Sequence, residues 1–226
     1  MKVNDALLDY LFEGQAHMLR SVIASWFETS RRYVAFVADN RDKIRKKLRL
    51  NNDPDALEDL RWELEAAYLL HLDKRFTLMY EPYTSGQPFG PDYAVTYTTS
   101  LAFDIEVTRV RVMDDDGVRR VIDAVYGKLS QLSPNTSNVV AVGTAQGVDA
   151  AMFADEMKQM QRRVEARDLA LLTRHGFRDP AHFFKYYERL GLVIVRSNAA
   201  PTLWTNTAAK LPLANKAVTA LRQCFG

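Results

Sequence analysis

An α/β sandwich with a mixed central sheet, preceded by an N-terminal helical extension, is the fold the sequence predicts. Three observations carry that expectation. The first fifty residues repeat apolar side chains at three- and four-residue spacing without a proline, which is a helical period. From Phe76 the texture changes to the β-branched and aromatic runs "RFTLMYEPY", "DYAVTYTT" and "LAFDIEVTRVRV", which read as strands. Two further apolar runs, "VVAVGT" and "LVIVRS", follow helical segments. Strands joined by a hairpin pair antiparallel and strands joined through a helix pair parallel, so the sheet is expected to be mixed.

In chain order, residues 1–50 form the helical extension packed on the core, and residues 51–226 form the α/β core with its C-terminal helices. "NNDPDALEDL" reads as a helix start, with an Asn/Asp cap, Pro54 in the first turn and acids near the positive end of the helix dipole. That helix continues through "LEDLRWELEAAYLLHL". The strand "RFTLMYEPY" is followed by the loop "TSGQPFGP" and then by the two strands of a hairpin. In "DDDGVRRVIDAVYGKLSQL" acids precede an apolar-periodic segment, which predicts a helix over 118–132. "VVAVGT" is wholly apolar, as expected of a strand covered on both faces. "VDAAMFADEMKQMQRRVEARDLALLTR" reads as one further helix and "DPAHFFKYYERLG" as a helix begun by proline. After the strand "LVIVRS", the tail ends in a helix, and "WTNTAAKLPL" carries no recognisable motif.

Composition narrows the function classes. Hydrophobic residues make up 47% of the chain, ample for a core, and no apolar run approaches the length of a membrane span. The start "MKVNDALLDYLFEG" has early acids and no apolar signal core, and Cys224 is the only cysteine, so a reducing cytoplasm is expected. A net charge of +2 is too small to indicate nucleic acid by itself. Its distribution says more, because "RDKIRKKLR" sets six basic residues against one acid. That segment is either a solvated helix face or a phosphate-tracking surface. His17, His71, His175 and His182 show no metal-ligand spacing, and no phosphate-binding loop, nucleophile elbow or cysteine cluster is present.

The chemistry centres on "PDYAVTYTTSLAFDIEVTRVR", residues 91–111. Alternation along the second strand puts Asp104, Glu106 and Thr108 on one face. Charges in the middle of a buried strand are costly unless compensated. Asp92 opens the preceding strand, where a hairpin brings it near Glu106. Two carboxylates converging there suit a hard divalent cation, most simply magnesium, or manganese. On the preceding helix, Glu63 shares a face with Ala66, Ala67 and Leu70, whereas Glu65 points elsewhere. Glu63 reads either as a third supporting acid or as a first-turn acid at the helix N-terminus.

An acid-bearing helix, a strand, Pro91-Asp92, a strand and Glu106-Val107-Thr108 together resemble the core of the PD-(D/E)xK nuclease superfamily, the restriction-endonuclease-like fold. The likeness covers about residues 57–145. It implies metal-dependent phosphodiester hydrolysis, magnesium or manganese held by Asp92 and Glu106, and DNA or RNA as the partner. Many proteins of that fold also pair up to cut both strands, so the resemblance allows a homodimer, although no dimer signature stands in the sequence. The chain departs from the pattern at Thr108, where the family carries a lysine that offsets charge at the phosphate. Lys128, on the following helix, is the expected replacement, with Gln131 one turn on; otherwise it is a surface lysine. Arg109 should face the other side of the sheet. Two readings therefore remain open, a nuclease with a displaced lysine and a nuclease-like fold that has lost catalysis and binds nucleic acid or protein. A third is an unrelated α/β protein whose acids cap its strands.

Overall fold

The computed structural model describes residues 3–51, 53–82, 90–111 and 116–226. The chain divides into two compact units, 1–76 and 77–226.

The first unit is all helical. It contains α1 (Val3–Phe12), α2 (Arg20–Thr29), α3 (Arg31–Asp39), α4 (Arg41–Leu50) and α5 (Pro54–His71). The breaks have local causes. Gly14 takes φ +69°, Ser30 accepts from the Tyr33 amide to cap α3, and Asp53 accepts from the Ala56 amide ahead of Pro54. α1 packs on α2 and α4, and α5 on α3 and α4. Tyr33 is fully buried at the centre, with Trp26, Phe27, Phe36 and Tyr68 around its ring. Arg32 donates to the carbonyls of His71 and Asp73, at 3.2 and 2.7 Å, and so satisfies the open end of α5. His71 is buried as well, its Nδ1 against the Ala67 carbonyl at 2.8 Å.

The second unit is built on β1 (Phe76–Tyr80), β2 (Tyr93–Tyr97), β3 (Leu101–Arg109), β4 (Ser137–Gly143), β5 (Leu190–Arg196) and β6 (Thr202–Thr205). Among the described residues these form one open sheet in the order β1–β2–β3–β4–β5–β6. β2 and β3 pair antiparallel, β3–β4 and β4–β5 parallel, and β5–β6 antiparallel, so the sheet is mixed as expected. The parallel crossovers are α6 (Gly117–Lys128) and a longer connection through α7 (Ala150–Glu165), α8 (Leu169–Arg174) and α9 (Pro180–Tyr187); α10 (Asn215–Phe225) closes the chain. All seven residues of β4 are buried. Val140, Val142, Val193 and Val195 join Val121, Ile122, Val125, Phe153, Met157 and Phe183 in one core cluster.

Three expectations need correction. The segment 149–174 is two helices rather than one. Arg167 turns left-handed at φ 60°, and Asp168 caps α8 by accepting from the Leu171 amide while Arg163 holds its other oxygen. The helix expected over 118–132 ends at Lys128 and tightens into a 3₁₀ turn over Leu129–Gln131. Within the motif-free stretch "WTNTAAKLPL", Trp204 and Thr205 belong to the short strand β6. Most of the loop "TSGQPFGP" and the first acids of "DDDG" lie outside the described residues.

At the start of α7, Asp149 accepts from the amides of both Ala151 and Met152. Asp149→Ala should therefore lower stability by about 1 kcal/mol, read as a shift of the urea midpoint with an unchanged m-value.

Candidate metal and phosphodiester site

The β2–β3 ladder ends at Tyr93 opposite Ile105, so the next positions outward set Asp92 opposite Glu106. Alternation then gives these two acids the sheet face opposite to that of Tyr93 and Ile105. Past the last β2 pair, the Val107 N–H needs an acceptor. Asp92 supplies it, its Oδ2 accepting at 2.7 Å. The same residue's carbonyl accepts from the Glu81 amide at 2.9 Å, which ties β1 to this end of β2. Asp92 is thus held from two sides at the edge of the pair.

Glu106 stands in mid-strand, beside Val140 of β4, and is only 3% exposed. Its charge is compensated by Lys128, whose Nζ lies 3.1 Å from Glu106 Oε2 and also 3.1 Å from Gln131 Oε1. The parallel crossover positions this lysine: α6 returns across the face of β3 and β4, and its last residue meets the middle of β3. Lys128 is 24% exposed, so it is not an ordinary surface lysine. The 3₁₀ turn after α6 brings Gln131 back to the same ammonium.

Thr108 follows on the Glu106 face, half-buried beside Val142. The fifth predicted residue, Glu63, belongs to the first unit, where its Oε1 bonds Lys47 Nζ at 2.6 Å. Glu65 bonds Arg61 instead, at 2.7 Å. Arg109 lines a shallow recess of about 300 Å³ with Arg111, Arg120 and Asp123 at the far end of β3. Asp123 in turn holds His175 Nε2 at 3.0 Å.

Asp104 was not singled out by sequence reasoning, although its phase with Glu106 marked it. It is 6% exposed, and among the described residues its Oδ2 has no hydrogen-bond partner. Burial alone pushes its carboxyl up to about 6. One face of β3 therefore carries one acid neutralised by a lysine and another neutralised by a proton over much of the acidic range.

Asp92 and Glu106 offer hard oxygen donors at facing positions. Among the described residues no group of three or more His, Cys, Asp or Glu side chains is arranged to hold a metal ion. Such a pair fits magnesium in particular, which is commonly bound through one or two carboxylates and completed by water and phosphate oxygens. The chain matches no family model, no curated protein and no solved structure.

Two outcomes follow from these geometries. Lys128→Met leaves a buried carboxylate without its cation and should cost about 3 kcal/mol or more, whereas Lys128→Met with Glu106→Leu should recover most of that loss. A double-mutant cycle in urea checks this, and additive losses would exclude the pairing. For Asp104, the folded carboxyl binds its proton more tightly than the unfolded one, so stability falls as pH rises from about 4 to 6. Asp104→Asn should remove that fall, which is on the order of 2–3 kcal/mol. Urea midpoints across this range, measured in EDTA, would show an undiminished slope if the assignment is wrong.

Proposed function

We propose that the protein is a metal-dependent phosphodiesterase acting on nucleic acid, with Asp92 and Glu106 as the metal-binding carboxylates and Lys128 in the role of the lysine that Thr108 displaces. The observation that carries this reading is the 3.1 Å contact between Lys128 Nζ and Glu106 Oε2, beside the register that sets Asp92 opposite Glu106. The element order also supports it: helix α5, three strands, helix α6 and strand β4 follow one another as the resemblance requires, with β3 and β4 parallel.

When bound, a magnesium ion would supply Lewis-acid polarisation of the phosphate and would acidify a water. The remaining work belongs to the chain. Glu106 has two oxygens with about four lone-pair directions, so the Oε2 bond to Lys128 leaves capacity on the same carboxylate. Lys128 stands on an arm anchored by Glu106 and Gln131, and its ammonium offsets charge that builds on the phosphate oxygens. Thr108 is uncharged and lends only a hydroxyl to that environment. Asp92, fixed by the Val107 amide, needs no reorganisation to present its carboxylate.

A second reading has its own support. Asp92 caps the end of the β2–β3 ladder and Glu106 is neutralised by Lys128, so both acids also have structural work. In that case the protein is a catalytically inactive fold that binds nucleic acid or protein, and Thr108 marks the loss.

Purified protein incubated with supercoiled plasmid or with structured RNA separates the two. The enzyme reading expects cleavage with magnesium or manganese, none in EDTA, and a loss of at least about 100-fold in Glu106→Gln and in Lys128→Gln. Thr108→Lys should retain or raise the rate. If only Thr108→Lys cleaves, or if Glu106→Gln cleaves as well as the parent, the enzyme reading falls.

A further inference from the structure

Within the helical unit, α1 and α4 enclose an open groove of about 440 Å³ that the sheet site does not use. Its lining is Tyr10, Asp42, Arg45, Lys46, Arg49 and Leu50. We propose that this groove is a second nucleic-acid contact, one that grips the phosphodiester backbone without reading its sequence.

Arg45 is the reason for choosing an anion. Its Nε and Nη2 both donate to Glu13 Oε1, at 3.3 and 2.7 Å, and its guanidinium lies over the Tyr10 ring at 4.6 Å. Two restraints thus orient the group, and a planar cation held in this way suits a phosphate. Arg41 lies over the same ring at 5.2 Å, and Arg49 follows Arg45 by one helical turn. Lys46 and Arg49 are exposed.

The nearby acids offset only part of this charge. Asp42 is held by the Tyr10 hydroxyl at 2.5 Å, and Arg45 holds the Glu13 carboxyl below its ordinary range. Four cations, Arg41, Arg45, Lys46 and Arg49, meet two carboxylates, Asp42 and Glu13, the latter shared by Arg45 and Arg49 at 2.7 and 3.6 Å, so an excess of positive charge remains.

The apolar residues of α4 decide between polyanions. Ile44 and Leu48 are buried inside the unit and Leu50 alone among the apolar residues of α4 is exposed, too little for an apolar face to lay into a bilayer. A hydrated backbone of regularly spaced phosphates fits better. The choice of nucleic acid also rests on the phosphodiesterase reading, but the contact itself needs no divalent metal.

Binding of the full-length protein to a short fluorescein-labelled DNA duplex, followed by anisotropy in EDTA across a salt series, tests the groove apart from the sheet site. Lys46→Glu with Arg49→Glu should weaken binding by about tenfold or more at low salt and flatten the log–log salt slope by about one unit per lost contact. Lys46→Arg should bind like the parent. Thermal melts of the double variant, unchanged from the parent, keep a folding defect out of the comparison. Unaltered affinity and slope in the double variant would overturn the proposal. So would capture of the parent by phosphatidylserine vesicles with no affinity for the duplex.

Discussion

The parallel pairing of β3 with β4 is the constraint on which the second unit depends. A parallel neighbour cannot be reached by a tight turn, so the chain must leave the sheet, cross one face and return. α6 is that crossing. Because β4 is buried along its whole length, the crossing helix has to present an unbroken apolar stripe, and Val121, Ile122 and Val125 provide it. Once that stripe is seated, the polar end of α6 has little freedom. Lys128 arrives over the middle of β3, where Glu106 stands with almost no access to water. The contact between Lys128 and Glu106 is thus a by-product of strand order and hydrophobic burial.

Two carboxylates on one buried strand face would be costly if both were ionised and uncompensated. The protein resolves this differently at each position. Glu106 receives an ammonium from another element, whereas Asp104 has an oxygen with no partner among the described residues and burial pushes its carboxyl up to about 6. Asp92, at the edge, works as a substitute backbone acceptor for Val107. The differences follow from place. The ladder edge has unused amides to offer, the middle of β3 is reached by the end of α6, and for Asp104 no described partner reaches the second oxygen.

Much of this was legible in the sequence because period and burial coincide there. The hairpin 93–109, the apolar β4 and the proline-started helices follow from alternation, apolar runs and capping chemistry, whereas Lys128 enters only as the replacement that the resemblance implies. What was not legible depended on local competition. "QRRVEARDLALL" has unbroken helical propensity, yet Asp168 gains an amide and an arginine by ending one helix and starting the next. β6 is four residues long and only partly buried, too short for its alternation to stand out. Glu63 was rightly read as adjoining a buried stripe, since Ala66, Ala67 and Leu70 are fully buried. Its partner, Lys47, comes from a separate helix that no periodicity in α5 could announce. The basic run stayed open between a solvated face and a phosphate-tracking surface, because nothing in α4 announces that Arg45 is oriented by Tyr10 of α1 and by Glu13 just beyond that helix.

In the proposed site, the position of Lys128 has a consequence for the order of binding. An ammonium already resting on Glu106 disfavours a divalent cation on the same carboxylate, because like charges a few ångström apart repel strongly where solvent is scarce. A lysine two residues along the strand would stand in a different relation to that carboxylate. An incoming phosphate changes the balance, since its negative charge attracts both cations and relieves their mutual repulsion. Metal and substrate affinities are then coupled, each raising the other by the same factor. Metal bound without substrate would be weak, and Thr108, being neutral, adds nothing to that repulsion. On this argument the displaced lysine need not mean a damaged site; it would shift metal binding toward the moment when substrate is present.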